Sequence, residues 1–179
     1  MRHVAAARKA YGKRTIFNLL GPLCSPATVR RQLSGTGTKE NVALLAGALT
    51  ELGCDQGLVV VGEDGLDELT ICGTTEGVHV PSGEEEVFDP TVVGIPIVPP
   101  MEIEGGTPEE NLAIHKELAA GRGSDAHRNL VLWNAAQALI LTDHASNVQE
   151  GFDLAMETLS SGDVAQLIDR YVTATNDLS

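Results

Sequence analysis

The 179-residue sequence is short of aromatic side chains, of positive charge and of cysteine. Phenylalanine, tyrosine and tryptophan make up only 3% of it, which argues against stacking platforms for bases and leaves the core to Leu, Val, Ile and Ala. Lysine and arginine number 12 against 25 aspartates and glutamates, a formal charge of −13. A surface of that sign repels phosphodiester backbones, so no nucleic-acid partner is expected. Small phosphorylated substrates stay possible, because a bound divalent cation inverts the local charge. The cysteines, Cys24, Cys54 and Cys72, are odd in number and form no CxxC pair. That argues against a disulfide frame or zinc site and predicts reduced, small core residues of a cytoplasmic protein. No apolar run approaches the ~18–20 residues of a membrane span, and the charged-then-apolar layout of a signal peptide is missing.

What is present is ordinary globular material: 42% hydrophobic residues and a mean hydropathy of +0.01. A single α/β domain over 1–179 is the simplest expectation, burying roughly 70% of its unfolded surface. The first 14 residues carry Arg2, His3, Arg8, Lys9, Lys13 and Arg14. This basic stretch either faces something anionic or is a solvated helix. Residues 15–27, TIFNLLGPLCSPA, hold two helix-stopping prolines and read as an irregular but packed connection. A strand is predicted over 32–36. A helix follows over 39–52, with Val42, Leu45, Leu49 and Leu52 on one face and Gly53 as its stop. The β-branched run within 57–62 predicts a strand buried on both faces, and strand, helix, strand in that order predicts a right-handed parallel βαβ unit.

Short segments at 69–71, 77–80 and 85–88 suggest a β-meander, and 94–106 a loop. Thr107-Pro108-Glu109-Glu110 is a helix start, with a helix running to about residue 120. Residues 125–141 are apolar on nearly all sides and predict a central buried helix. Ser146 with Gln149, and Asp163 with Gln166, look like caps of two more helices. The expected class is α/β: a largely parallel sheet with a short β-meander, flanked by helices, and a helical carboxyl-terminal third.

Gly62-Glu63-Asp64-Gly65-Leu66-Asp67-Glu68-Leu69 follows the clearest strand. Ligands of open parallel sheets collect beyond strand carboxyl ends, and adjacent Asp67 and Glu68 suit a metal–diphosphate site. A solvated acidic turn has the same spacing. Gly35-Thr36-Gly37-Thr38 lacks a P-loop lysine and the GxGxxG spacing, so it reads as an ordinary βα turn. Arg8 has the chemistry to grip a carboxylate bidentately, but on its own surroundings it reads as a surface arginine. The five histidines show no ligand spacing, and most read as surface or cap residues; no GxSxG or cysteine signature supports covalent catalysis.

Taken together, Arg2-His3-Val4 to Arg8-Lys9, Arg14-Thr15-Ile16-Phe17-Asn18-Leu19-Leu20-Gly21-Pro22-Leu23, Pro26-Ala27, Gly62 to Glu68, Glu110-Asn111 and Asn134-Ala135-Ala136 resemble the anthranilate phosphoribosyltransferases. The resemblance is collinear over essentially the whole chain and specific in combining RTIFNLLGPL with GEDGLDE. It implies joining of the anthranilate amine to C1 of phosphoribosyl pyrophosphate (PRPP), with release of pyrophosphate, in tryptophan biosynthesis. It further implies that Asp67 and Glu68 bind Mg²⁺ beneath PRPP and that Arg8 contacts the anthranilate carboxylate; no residue is assigned as a catalytic base. It covers the carboxyl-terminal half of the family pattern. The amino-terminal helical domain and the GTGGD loop for the PRPP diphosphate have no match, so the chain is expected to be truncated and inactive alone. Apolar surface around 16–23 is then expected to meet the missing half or another copy. Two alternatives stand beside this: a non-catalytic half of a split enzyme, and a nucleoside-phosphorylase-like enzyme, against which GEDGLDE and Arg8 argue.

Overall fold

The protein is described from a computed structural model, in which residues 4–13 and 15–177 are placed. A short helix, α1 (Ala5–Tyr11), precedes a 3-10 turn at Ile16–Asn18. Then come β1 (Arg31–Gly35), α2 (Lys39–Glu51), β2 (Gln56–Gly62), β3 (Thr75–Val80) and β4 (Glu85–Phe88). Four helices complete the chain: α3 (Pro108–Ala119), α4 (Asp125–Leu141), α5 (Val148–Ser161) and α6 (Asp163–Asn176). The α/β class and the helical last third are as expected.

The sheet runs in the order β1-β2-β3-β4. The crossover through α2 makes β1 and β2 parallel, with Arg31 opposite Gln56 and Gly35 opposite Val60. The meander supplies two antiparallel ladders, β2 with β3 and β3 with β4. Parallel pairing among the described residues is therefore the single ladder that the one βαβ crossover permits.

Side-chain alternation along β2 explains the layering. Leu58 and Val60 face one core with Leu132, Trp133, Ala136 and Phe152 of α4 and α5. Val59 and Val61 face the other, with Val42, Leu45 and Leu49 of α2. A strand covered on both sides has no use for a polar position, which is why the run is continuous. Trp133 is 1% exposed, and its indole N–H has no hydrogen-bond partner among the described residues.

Several expectations need correction. Residues 69–71 are buried but form no strand, because side chains from elsewhere satisfy their backbone. Segment 15–27 is irregular and packs Leu23 against the α2 core as expected, but it contributes no fully buried residue, and Ile16 is 67% exposed. Of the cysteines only Cys54 is buried; Cys72 is half-buried and Cys24 exposed. Helix α4 buries one face and leaves Val131 exposed, so it is not surrounded. The caps of α5 and α6 are Asn147 and Gly162, each one residue away from the expected Ser146 and Asp163. The 94–106 loop includes a 3-10 turn at Pro100–Glu102. The capping box of α3 is as read: Thr107 N–H donates to Glu110 Oε2 at 2.7 Å, and Glu110 N–H to Thr107 Oγ1 at 3.3 Å. Among the described residues no helix is long and apolar enough to cross a membrane.

Candidate functional site

Because β1 and β2 are parallel, their carboxyl ends, Gly35 and Gly62, open on the same side of the sheet. Beyond Gly62 the chain turns back on itself: Gly65 N–H donates to the Gly62 carbonyl at 2.9 Å, and Gly62 N–H to that of Leu66 at 2.8 Å. The four carboxylates of this loop divide into two kinds. Asp64 accepts from Leu66 N–H at 3.1 Å and from the Thr70 hydroxyl at 2.9 Å. Glu63 accepts from the backbone and the hydroxyl of Thr74 at 3.2 and 3.1 Å. These two brace the loop. Asp67 and Glu68 enter no hydrogen bond or ion pair with another described residue.

Asp67 lines a cleft of about 410 Å³ together with Thr15, Asn18, Pro22 and the Gly35-Thr36-Gly37 turn. The turn comes close to the acid loop: a Cβ on Gly35 would lie 1.7 Å from the Asp67 carbonyl oxygen, so only glycine fits. Thr36 N–H donates to the Val60 carbonyl at 3.0 Å, and Asn41 Nδ2 donates to Thr38 Oγ1 at 2.9 Å. The βα turn is ordinary in geometry and also walls the cleft. Glu68 lies outside the cleft lining and is exposed, yet partial desolvation, and secondarily the Asp67 charge, push its carboxyl above the usual range.

The other face of the loop is held by α4. Asn134 Oδ1 accepts from Leu69 N–H at 3.0 Å, while its Nδ2 donates to the Leu69 carbonyl at 2.9 Å and to that of Leu130 at 3.0 Å. Opposite, the Thr15 hydroxyl is buried on the cleft wall with no partner among the described residues.

Two adjacent carboxylates without a cation, one of them on a cleft, are a donor set that fits Mg²⁺, which keeps waters and takes further oxygens from phosphate. A group of three ligating His, Cys, Asp or Glu side chains does not occur among the described residues, so an all-protein cage is not what this site offers.

Arg8 sits on α1, but its side chain lies outside the described residues, as does His3. Lys9 and Lys13 share with Asn18 the wall of a second cleft, so the basic helix and the acid cleft meet at that asparagine. His79 pairs with Glu86 at 2.7 Å, His127 with Ser124 at 2.8 Å and His144 with Thr142 at 3.1 Å, the surface and cap roles expected. Sequence reading missed Thr15, Asn18, Asn41 and Asn134 as part of this site. Asn134 left a signal as a polar residue within a largely apolar helix, and Thr15, Asn18 and Asn134 all stand in stretches that carry the family resemblance.

The model of the glycosyl transferase family, a/b domain, matches residues 1–165. The anthranilate phosphoribosyltransferase of Parvibaculum lavamentivorans is 42% identical over 178 residues, covering 98% of this chain and 52% of the relative. The crystal structure of that enzyme from Thermus thermophilus superposes with a TM-score of 0.88 at 39% identity, over 97% of this chain and 51% of the other. The Saccharomyces cerevisiae enzyme in complex with PRPP and Mg gives 0.90 at 26% identity, over 99% and 52%. The chain thus spans about half the length of the relatives it matches.

Proposed function

The chain belongs to the glycosyl transferase family, a/b domain, and on that premise we propose that it carries the metal side of an anthranilate phosphoribosyltransferase site, in the cytoplasm. The reaction transfers the phosphoribosyl group of PRPP to the amine of anthranilate, releasing pyrophosphate, a step of tryptophan biosynthesis. Support comes from relatives named for this activity, one of them in complex with PRPP and Mg.

Asp67 and Glu68 would hold Mg²⁺, with Asp67 reaching it from the cleft wall. When bound, Mg²⁺ supplies neutralisation of the diphosphate leaving group while C1 gains oxocarbenium character. The chain's own contribution is positioning. Gly35 and Asn134 fix the loop from either side, and the unpartnered Thr15 hydroxyl offers a hydrogen bond to whatever enters. Lys9 and Lys13 add positive potential beside an otherwise acidic surface. Arg8 is assigned to the anthranilate carboxylate, which orients the amine and lowers the entropic cost of attack.

The observation that carries this reading is the division of the loop's carboxylates into two that brace and two that are free. Isothermal titration of Mg²⁺-dependent PRPP binding tests it, using a complete enzyme that contains this sequence. Asp67→Ala with Glu68→Ala is expected to abolish the binding; unchanged binding would overturn it. The exposed Ile16 and the half-length match favour a second reading, a half that works only with a complementary chain. Transfer by this chain alone rejects that reading, whereas activity restored by an added amino-terminal half supports it.

A further inference from the structure

The clamp on Leu69 gives one side chain outside the acid pair control over it. We propose that Asn134 is a positioning residue for the metal site: its carboxamide, bonded to both the N–H and the carbonyl of Leu69, sets the direction in which Asp67 and Glu68 present their oxygens. The proposal rests on the metal role assigned above.

Asn134 spends its oxygen and both amide hydrogens in one place. The oxygen takes the Leu69 N–H at 3.0 Å, and Nδ2 serves the carbonyls of Leu69 and Leu130 at 2.9 and 3.0 Å. Leu69 is fully buried and immediately follows Glu68, so the peptide joining the two, whose N–H bonds to Asn134, is a fixed point beside the free acids. A buried peptide group cannot turn to water for partners, so losing the carboxamide would release this plane or force it elsewhere. On the opposite side Gly35 packs against the Asp67 carbonyl, leaving the acid pair between two backbone contacts. Asn134 itself stands on α4, whose Leu132, Trp133 and Ala136 are anchored in the core, so the clamp has a rigid base. Groups that orient ligating carboxylates from behind influence metal affinity by 10–100-fold, and an effect of that order is expected here.

The test uses the 179-residue chain with Mn²⁺ as probe, its binding followed by water-proton relaxation. Asn134→Leu removes the clamp; Asn134→Asp keeps the acceptor for Leu69 N–H but sets a carboxylate oxygen against two carbonyls. Both are expected to weaken Mn²⁺ about 10–100-fold. Leu49→Ala, which opens the separate core between α2 and the sheet, is expected to lower stability and leave the affinity of the folded chain unchanged. Folded Asn134 variants that bind as tightly as the parent overturn the proposal, as does a loss matched by Leu49→Ala. Hydrogen exchange of the Leu69 amide in the parent, with and without Mg²⁺, requires no variant. Slower exchange with Mg²⁺ is expected, and an unchanged rate counts against the clamp. Failure of the underlying reading shows differently: the parent takes up no Mn²⁺, or Asp67→Asn with Glu68→Gln leaves uptake intact.

Discussion

At Gly35 the absence of a side chain is what lets the acid loop approach the end of β1. A methyl group there would sit 1.7 Å from the Asp67 carbonyl oxygen, and the obstacle is backbone, so no rotamer change relieves it. Gly35→Ala is expected to cost about 1–3 kcal/mol as an overpacked contact and to displace Asp67 from the cleft. Urea denaturation reads the first effect, and a fall in Mn²⁺ affinity reads the second. Charge at single residues is also set by local bonds. The Glu110 carboxyl is held below its usual range by the backbone N–H of Thr107 and then by its hydroxyl. Because its folded value is depressed, its stabilising effect is complete above the unfolded carboxylate range and fades as pH falls through the folded value. In Glu110→Gln this acid-side loss should shrink in thermal melts run from neutral to acidic pH.

Elements that carry their own periodicity were legible from sequence, and those held by distant side chains were not. Strand β2 declared itself through four consecutive apolar residues, and α3 through Thr107, Pro108 and Glu110 at fixed offsets. Residues 69–71 look like a strand because they form a short segment set between turn residues. Their partners, however, are Asn134 for Leu69, the Thr75 hydroxyl for Thr70 N–H and Val98 N–H for the Ile71 carbonyl. No local spacing announces such contacts. The acid pair was visible as a motif, whereas its sorting from Glu63 and Asp64 required the bonds of Thr70 and Thr74. Helix packing makes a prediction of its own. A Cβ on Gly151 would meet the Ala136 carbonyl oxygen at 2.7 Å, so α5 rests directly on the α4 backbone. Gly151→Ala is expected to lower stability by about 1–3 kcal/mol, seen as an earlier urea midpoint with an unchanged slope.

Across the whole molecule the dominant fact is a charge of −13, relieved by few cations. Ion pairs among the described residues such as Arg30 with Asp55 and Arg122 with Glu117 are exposed and contribute little each. Self-repulsion should therefore weaken the fold at low ionic strength, and moderate sodium chloride is expected to raise the melting temperature. Calorimetry over a salt series checks this; a flat or falling trend would show that the acidic surface is already compensated. Helix α6 buries no residue and exposes Leu167, Ile168 and Tyr171, so it adds little to this core. The sole tryptophan, meanwhile, is sealed beside the asparagine that grips the loop. Its fluorescence is thus a built-in optical gauge: blue-shifted emission from the dry interior should redden when α4 pulls away, reporting by light alone whether the scaffold under the acids is intact.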